Sequence, residues 1–253
     1  MEREYTFVPE TGSTNDDLKE KLYHSETPLF DVLVAGRQLG GRGRQGRAFY
    51  SPAGGVYFSA AFPLPPDCPH PAFLTLLTGL AVQKTLQKRA KTAVLIKWPN
   101  DITVNGKKLC GVLTELITAP SGPAAVVGVG LNVRLDENDL PEALRETVTD
   151  LSSAGIENTD REELIREIVG ALDYYVYRAL ALEKPAFPYR EEYEAALALK
   201  GRTVTRTLGQ ESVTGRVLGI DALGRLLLRA PDGKTVTVAS GIVEEAPENR
   251  SSI

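Results

Sequence analysis

The chain has 253 residues, 42% of them hydrophobic and 25% charged, proportions that suit a globular protein with one main core and a smaller second one. A formal net charge of -4 excludes binding to duplex DNA through a whole-surface basic field, so any polyanion site must be local. No stretch reaches the roughly 20 apolar residues of a membrane span, MEREYTFVPETGSTN lacks a signal-peptide core, and Cys68 and Cys110 lie in unlike contexts that read as reduced thiols, so a cytoplasmic protein without a membrane partner is expected.

Taken in chain order, GSTND at 12–16 precedes a helical LKEKL segment, and its plain reading is a helix N-cap. Residues 31–36 (DVLVAG) and 56–62 (VYFSAAF) read as buried strands, with an irregular stretch between them. Residues 72–89 carry Phe73, Leu76, Leu77, Leu80, Val82 and Leu86 at three-and-four spacing, which predicts an amphipathic helix on one face of the sheet. Residues 93–98 (AVLIKW) form a further strand. ITV and LCGVLTELI flank Asn105-Gly106, the pair that supplies the two positive φ values of a type I′ hairpin turn. Residues 125–133 (AVVGVGLNV) add an apolar strand. Asp160 is placed to cap a helix to about 182 with Leu164, Ile168, Leu172 and Tyr175 as its buried stripe, and a second helix is predicted over 189–199. From there TVTRTL, SVTGRVLGID, GRLLLRA and KTVTVASG are short strands between turns, a small all-β domain of about 50 residues that touches the first.

The most informative segment is GGRGRQGR at 40–47, where four glycines and three arginines stand between a strand and the SPAGG turn. Glycine lets backbone N–H groups approach an anion, and arginine offers planar donors to carboxylate and phosphate. An isolated run of this kind is also compatible with a flexible, solvated basic loop. Gly41, Gly43 and Gly46 satisfy the dinucleotide fingerprint, but RAFYSPAGG follows where that fold requires a helix, so the dinucleotide reading is rejected. The Walker pattern is missing as well. KWPND at 97–101 brings an amide and a carboxylate out of a strand together, as Mg²⁺ or nucleotide binding needs, or as an ordinary capped turn has. Strand alternation puts Lys107 and Lys108 on opposite faces, so one of them points inward. Glycines in GVGLN at 128–132 allow close backbone approach, although a plain turn accounts for them too.

In their order GSTN, GRGRQGR with SPAGG, KWPND, KKLCGVLTE, GVGLNV and GRVLGIDALGRLLL resemble the biotin–protein ligases over nearly the whole chain. The resemblance implies an α+β fold: a class II synthetase-like catalytic domain with a mixed sheet and helices over 1–199, then an SH3-like β barrel over 200–253. It implies that Ser13, Thr14, Asn15 and Gln38, with Gly111, line a biotin pocket. Hydroxyls and amides suit a ureido ring, which carries one carbonyl acceptor and two N–H donors. Arg42, Gly43 and Arg44 would wrap the biotin carboxylate and the α-phosphate on a loop that orders with ligand. Arg44 and Lys108 would be catalytic. Arg47, Phe49, Asn100 and Asn132 would face ATP, with Asn132 near adenine, and Asp101 would be a Mg²⁺ ligand. Phe49 stands where the family usually has tryptophan, keeping an aromatic face without an indole N–H.

The implied reaction forms biotinyl-AMP from biotin and ATP with Mg²⁺, then transfers biotin to a lysine of a biotin carboxyl carrier protein. Because GSTN begins at residue 12, no DNA-binding domain is expected before it, and no sequence-specific DNA binding. An exposed sheet edge is compatible with a homodimer. Two other readings stand beside this one. A lipoate ligase or octanoyltransferase shares the catalytic fold, and the latter needs a nucleophilic cysteine, for which Cys110 is the one near the site. A non-catalytic SH3-like binding module would use the basic loop only to touch phosphate.

Overall fold

A computed structural model describes residues 2–68, 71–136, 138, 140–157, 160–182 and 186–246. In chain order its elements are β1 Tyr5–Val8, α1 Thr14–Tyr23, β2 Val32–Ala35, β3 Val56–Pro63, α2 Phe73–Gln87, β4 Val94–Lys97, β5 Asp101–Val104, β6 Lys107–Ala119 and β7 Gly122–Leu131. There follow α3 Glu142–Arg145, α4 Arg161–Leu180, α5 Arg190–Ala195, β8 Thr203–Leu208, β9 Glu211–Ile220, β10 Leu226–Arg229, β11 Thr235–Val238 and β12 Ile242–Glu245.

The first seven strands form one mixed sheet in the order β1-β2-β3-β7-β6-β5-β4, parallel only between β1 and β2. Strand alternation divides its side chains cleanly. Val56, Phe58, Ala60 and Phe62 of β3 and Val127 and Val129 of β7 join the main core under α2 and α4. Ala61 and Val126 face the other way and pack with Leu18 and Leu22 of α1. The same alternation puts Ser59, Gly128 and Gly130 on the α1 side, where the polar and small residues of these strands gather.

The helix expected over 72–89 is present but is not amphipathic. Leu74, Leu76, Leu77, Leu80, Val82 and Leu86 are all buried, because α4 covers the side of α2 that the sheet does not. Each such fully buried leucine contributes about 2 kcal/mol. Asp160 does cap α4, its carboxylate accepting from the N–H groups of Glu162 and Glu163, and Leu164, Ile168, Leu172 and Tyr175 are the buried stripe. The Asn105-Gly106 turn has φ values of 51° and 79°, as a type I′ hairpin requires. The helix expected over 189–199 is shorter, six residues. After Ala195 the chain straightens to pair with the free edge of β4: Ile96 N–H donates to Ala196 O at 2.7 Å and Ala198 N–H to Ile96 O at 2.9 Å. An otherwise open edge is thereby covered.

The last five strands form an antiparallel sheet, order β11-β10-β9-β8-β12, of the small SH3-like barrel kind. Its Val204, Val217, Ile220, Leu226 and Leu228 continue the main core, so the two sheets share apolar packing. Trp98 joins them directly, its indole N–H donating to Gly224 O at 2.9 Å. Trp98→Phe keeps an aromatic ring and removes this bond. It is expected to lower stability by about 1 kcal/mol, read from the denaturant midpoint, since one buried carbonyl loses its donor. Among the described residues no helix is long and apolar enough to cross a membrane.

Candidate active site

On the α1 side of the sheet an open pocket is lined by Ser13, Thr14, Asn15, Gln38, Arg42, Gly111 and Gly128, among others. Ser13 sits at the N-cap position of α1 in extended conformation, yet its side chain makes no capping bond. The helix therefore starts where the sequence places it, while the Ser13 hydroxyl is left for the pocket. Behind this surface the polar groups are joined. Thr14 N–H donates to Gln38 Oε1 at 2.9 Å, the Thr14 hydroxyl lies 3.1 Å from the same oxygen, and Gln38 Nε2 donates to Ser51 Oγ at 3.1 Å. Ser13, Thr14 and Asn15 are 5%, 3% and 4% exposed, which makes their bonding decisive: a buried polar atom without a partner costs about 1–3 kcal/mol.

The glycine-arginine segment forms a tight hairpin closed by Gly43 N–H to Arg47 O at 2.7 Å and Phe49 N–H to Gly41 O at 2.8 Å. Its tip is a tight turn closed by Arg47 N–H to Arg44 O at 3.3 Å, in which Gln45 and Gly46 take left-handed φ values of 58° and 71°. Arg42 is ion-paired to Asp16 of α1, and this pairing draws the Asp16 carboxyl below its ordinary range. Arg44 donates to Asn100 Oδ1 at 3.3 Å. Burial lowers the pKa of the Arg44 guanidinium from its usual value, with Asp101 opposing and Arg47 reinforcing that shift. A poorly hydrated cation among other cations is a receptive partner for phosphate or carboxylate. The hairpin ends at Phe49, whose ring lies over Gly111 and Gly130. These are cross-strand partners of β6 and β7, and a Cβ on Gly130 would fall 2.4 Å from the ring.

Lys108 reaches the same place by way of a bulge. Along β5 and β6 the register passes from Ile102↔Cys110 to Thr103↔Lys108, leaving Leu109 as the extra residue. Leu109 and Cys110 are then both buried in the main core, and Lys108 shares a face with Gly111. Its ammonium lies 2.8 Å from Asp101 Oδ1 and 5.3 Å from the centre of the Phe49 ring. Lys107 turns outward towards Glu146 at 4.0 Å. A second, wider cleft is walled by Arg44, Arg47, Phe49, Asn100, Asp101 and Lys108 on one side and by Gly241–Glu244 of the small β sheet on the other. Gly43, Phe49, Asn100 and Lys108 line both spaces and mark where they meet.

Of the residues expected at the site, Ser13, Thr14, Asn15, Gln38, Arg42, Gly43 and Gly111 surround the first space, and Arg44, Arg47 and Asp101 surround the second. Asn132 lines neither of these two spaces. It is 5% exposed, and its amide donates to Thr149 O at 3.0 Å, holding the 147–151 segment against β7. Ser59 and Glu115, to which the pattern gives no role, lie immediately behind or beside the pocket with Asp16 and Lys19 of α1. Their only sequence signal is parity: Ser59 and Glu115 are polar residues on the inward-alternating positions of otherwise apolar strands.

Residues 7–132 match the Biotin/lipoate A/B protein ligase family, and residues 200–244 match the Biotin protein ligase C terminal domain. The chain is 34% identical over 229 residues to the Bifunctional ligase/repressor BirA of Bacillus subtilis, covering 87% of this chain and 68% of that one. It is 32% identical over 249 residues to the Biotin--[acetyl-CoA-carboxylase] ligase of Mycobacterium tuberculosis, covering 95% and 88%. The solved structure of biotin protein ligase from Aquifex aeolicus in complex with biotin and ATP superposes with a TM-score of 0.81 at 27% identity, over 96% of this chain and 99% of that one. Likeness in sequence spans both sheets, and so does likeness in fold; the chain belongs to the biotin–protein ligases.

Proposed function

We propose that this chain, an ATP-dependent biotin–protein ligase, binds biotin in the pocket floored by Ser13–Asn15 and Gln38, binds ATP in the neighbouring cleft, and joins the two beside Lys108. The observation that carries this reading is the position of Lys108 and Phe49 on the boundary of both spaces, with Arg42, Arg44 and Arg47 around them. A carboxylate entering from the first space and an α-phosphate entering from the second would meet among these cations. A biotin carboxylate oxygen attacks the α-phosphorus in line and the bond to the leaving pyrophosphate breaks, giving biotinyl-AMP. The neutral amine of a lysine on a biotin carboxyl carrier protein then attacks the acyl carbon, AMP leaves, and the amine gives up a proton. Neither half-reaction requires a covalent enzyme intermediate, so the side chains act by positioning and by charge.

Mg²⁺ fits this arrangement as an ion that arrives on the triphosphate. Among the described residues no three carboxylate, histidine or cysteine groups converge to cage a metal. Asp101 presents a carboxylate to the second cleft beside the Asn100 amide, with Glu244 on the facing wall, and nucleotide-bound Mg²⁺ commonly takes only one or two protein carboxylates. When bound there it offsets the charge of the phosphate oxygens. The wall formed by Gly241–Glu244 makes the small β sheet one side of the ATP site in this reading.

The test is pyrophosphate release by the purified chain with Mg-ATP, run in parallel with biotin, lipoate and octanoate. Release with biotin alone is expected; release with lipoate alone would assign the pocket to the sister activity. A cysteine-dependent acyl transfer is argued against by Cys110, which is wholly buried and whose thiol pKa burial pushes well above the usual value. Treatment with a thiol-alkylating reagent under native conditions is accordingly expected to leave biotin-dependent turnover unchanged, and its abolition would reopen the nucleophilic route.

A further inference from the structure

We infer that Glu115, which lines neither cleft, is a positioning residue that fixes the direction of the hydrogen bonds offered to biotin by Asn15 and its neighbours. The inference rests on the assignment of the first pocket to biotin. Glu115 lies on β6 on the α1 side of the sheet, and its two oxygens are engaged separately. Oε2 accepts from Asn15 Nδ2 at 2.7 Å, and Oε1 accepts from the Lys19 ammonium at 2.7 Å. Lys19 also meets Asp16 at 3.0 Å, so the carboxylates are matched by a nearby cation.

An asparagine amide can sit either way round, and only its partners decide which end is nitrogen. A carboxylate accepts and does not donate, so Glu115, at 2.7 Å the nearer of the two acceptors of this end, requires Nδ2 of Asn15, with Leu113 O at 3.4 Å the weaker second. The Oδ1 end is thereby turned towards Ser59, whose hydroxyl lies 2.6 Å away and is wholly buried. Ser59 Oγ is also 2.7 Å from Thr14 Oγ1, and the Thr14 hydroxyl is 3.1 Å from Gln38 Oε1. Gln38 is oriented in turn because its Nε2 faces Ser51 Oγ, which donates to Phe49 O at 3.0 Å. Asn15 and Thr14, which line the pocket, are thereby held with Oδ1 and Oγ1 on their Ser59 side, so that the acceptor ends of both side chains have fixed positions at the pocket floor. Oxygen acceptors are what the two N–H groups of a ureido ring require. With Asn15 reversed, an NH₂ group would face those N–H groups, donor against donor.

Glu115→Gln keeps size and shape but lets either end of the new amide face Asn15. The KM for biotin in pyrophosphate release is expected to rise about tenfold, the effect of one misdirected hydrogen bond, with kcat and the KM for ATP unchanged. Asn15→Asp combined with Glu115→Gln reverses the donor and acceptor. The carboxylate introduced on α1 then accepts from the amide introduced on β6 and again turns an oxygen to Ser59, so the biotin KM is expected to return most of the way. A purely structural contact would not be rescued by this exchange. Lys19→Met removes the partner cation and leaves the carboxylate, and is expected to hold the biotin KM within about twofold of the parent.

An unchanged biotin KM in Glu115→Gln, a fall in kcat instead, no recovery in the double variant, or an equal loss in Lys19→Met would each overturn the inference. Should Glu115→Gln fail to fold, the double variant decides alone: a KM near the parent value supports the inference and a rise of about tenfold or more refutes it. Absence of biotin-dependent release in the parent would remove the biotin assignment itself, a distinct result from failure of the variants.

Discussion

Lys108→Ala is expected to slow biotin-dependent pyrophosphate release by about 10²-fold or more, the effect of losing one charge-stabilising donor at the reacting centre. Lys108 has the required place, since it lies on the boundary of the two clefts and its ammonium is 2.8 Å from Asp101. Positive charge there opposes the negative charge that gathers as carboxylate and phosphate approach, and it is already in position before they arrive. Folding should survive the change. Asp101 Oδ1 is itself buried, but the Lys108 side chain that covers it is 32% exposed, so its removal opens a path for water to the carboxylate. Lys108→Gln, which keeps a hydrogen-bond donor without the charge, is expected to fall nearly as far. Thermal melting separates a folding defect from a chemical one. Adenylation rates equal to the parent in both variants would remove Lys108 from the mechanism.

Much of the fold was legible because periodicity and turn chemistry agreed. Asn105-Gly106, Asp160 and the stripe of α4 all stand where local rules put them. The rules failed where a distant element decided the outcome. Spacing alone cannot tell that α2 is covered by α4 as well as by the sheet, nor that residues 196–198 would leave a helical pattern to close the edge of β4. Lys108 shows the same limit within the site. Counting back from Gly111 by twos along a regular strand would bring Lys107 to its face. Only the bulge at Leu109 brings Lys108 there, so the choice between the two lysines came from the family resemblance and not from alternation. The place of Asn132 beside adenine was likewise implied by the resemblance and not by any pattern, and nothing in its strand announced that its amide would also satisfy the Thr149 carbonyl. Glu115 left almost no trace in the pattern. A glutamate inside GVLTELI reads as a solvated strand residue until α1 is seen to bring Asn15 and Lys19 onto it.

Gly128→Val is expected to raise the KM for biotin by about 10²-fold or more and to lower stability by about 1–3 kcal/mol, the range for overpacking a filled interior. Gly128 lies opposite Ser59 on one side and Leu113 on the other, on the face of the sheet that receives the first turn of α1. A Cβ built there falls 2.3 Å from Asn15 Oδ1 and 3.0 Å from its Cγ, closer than atoms can approach. Asn15 is not free to swing aside, because Ser59 holds one end of its amide and Glu115 the other. The strain must therefore be relieved by lifting α1, which carries Ser13 and Thr14 with it and separates Thr14 from Gln38. Several polar contacts of the pocket floor are lost together, and every ~1.4 kcal/mol of binding free energy so lost is tenfold in the binding constant. Gly122→Val is the control. Gly122 is also a glycine of β7, but the space around its Cβ position is open, and its φ of 115° confines the harm to a strained turn. It is expected to lower stability without changing the biotin KM. A parent-like biotin KM in folded Gly128→Val would mean that α1 and the sheet need not meet closely for biotin to bind, and the pocket floor would have to be sought elsewhere.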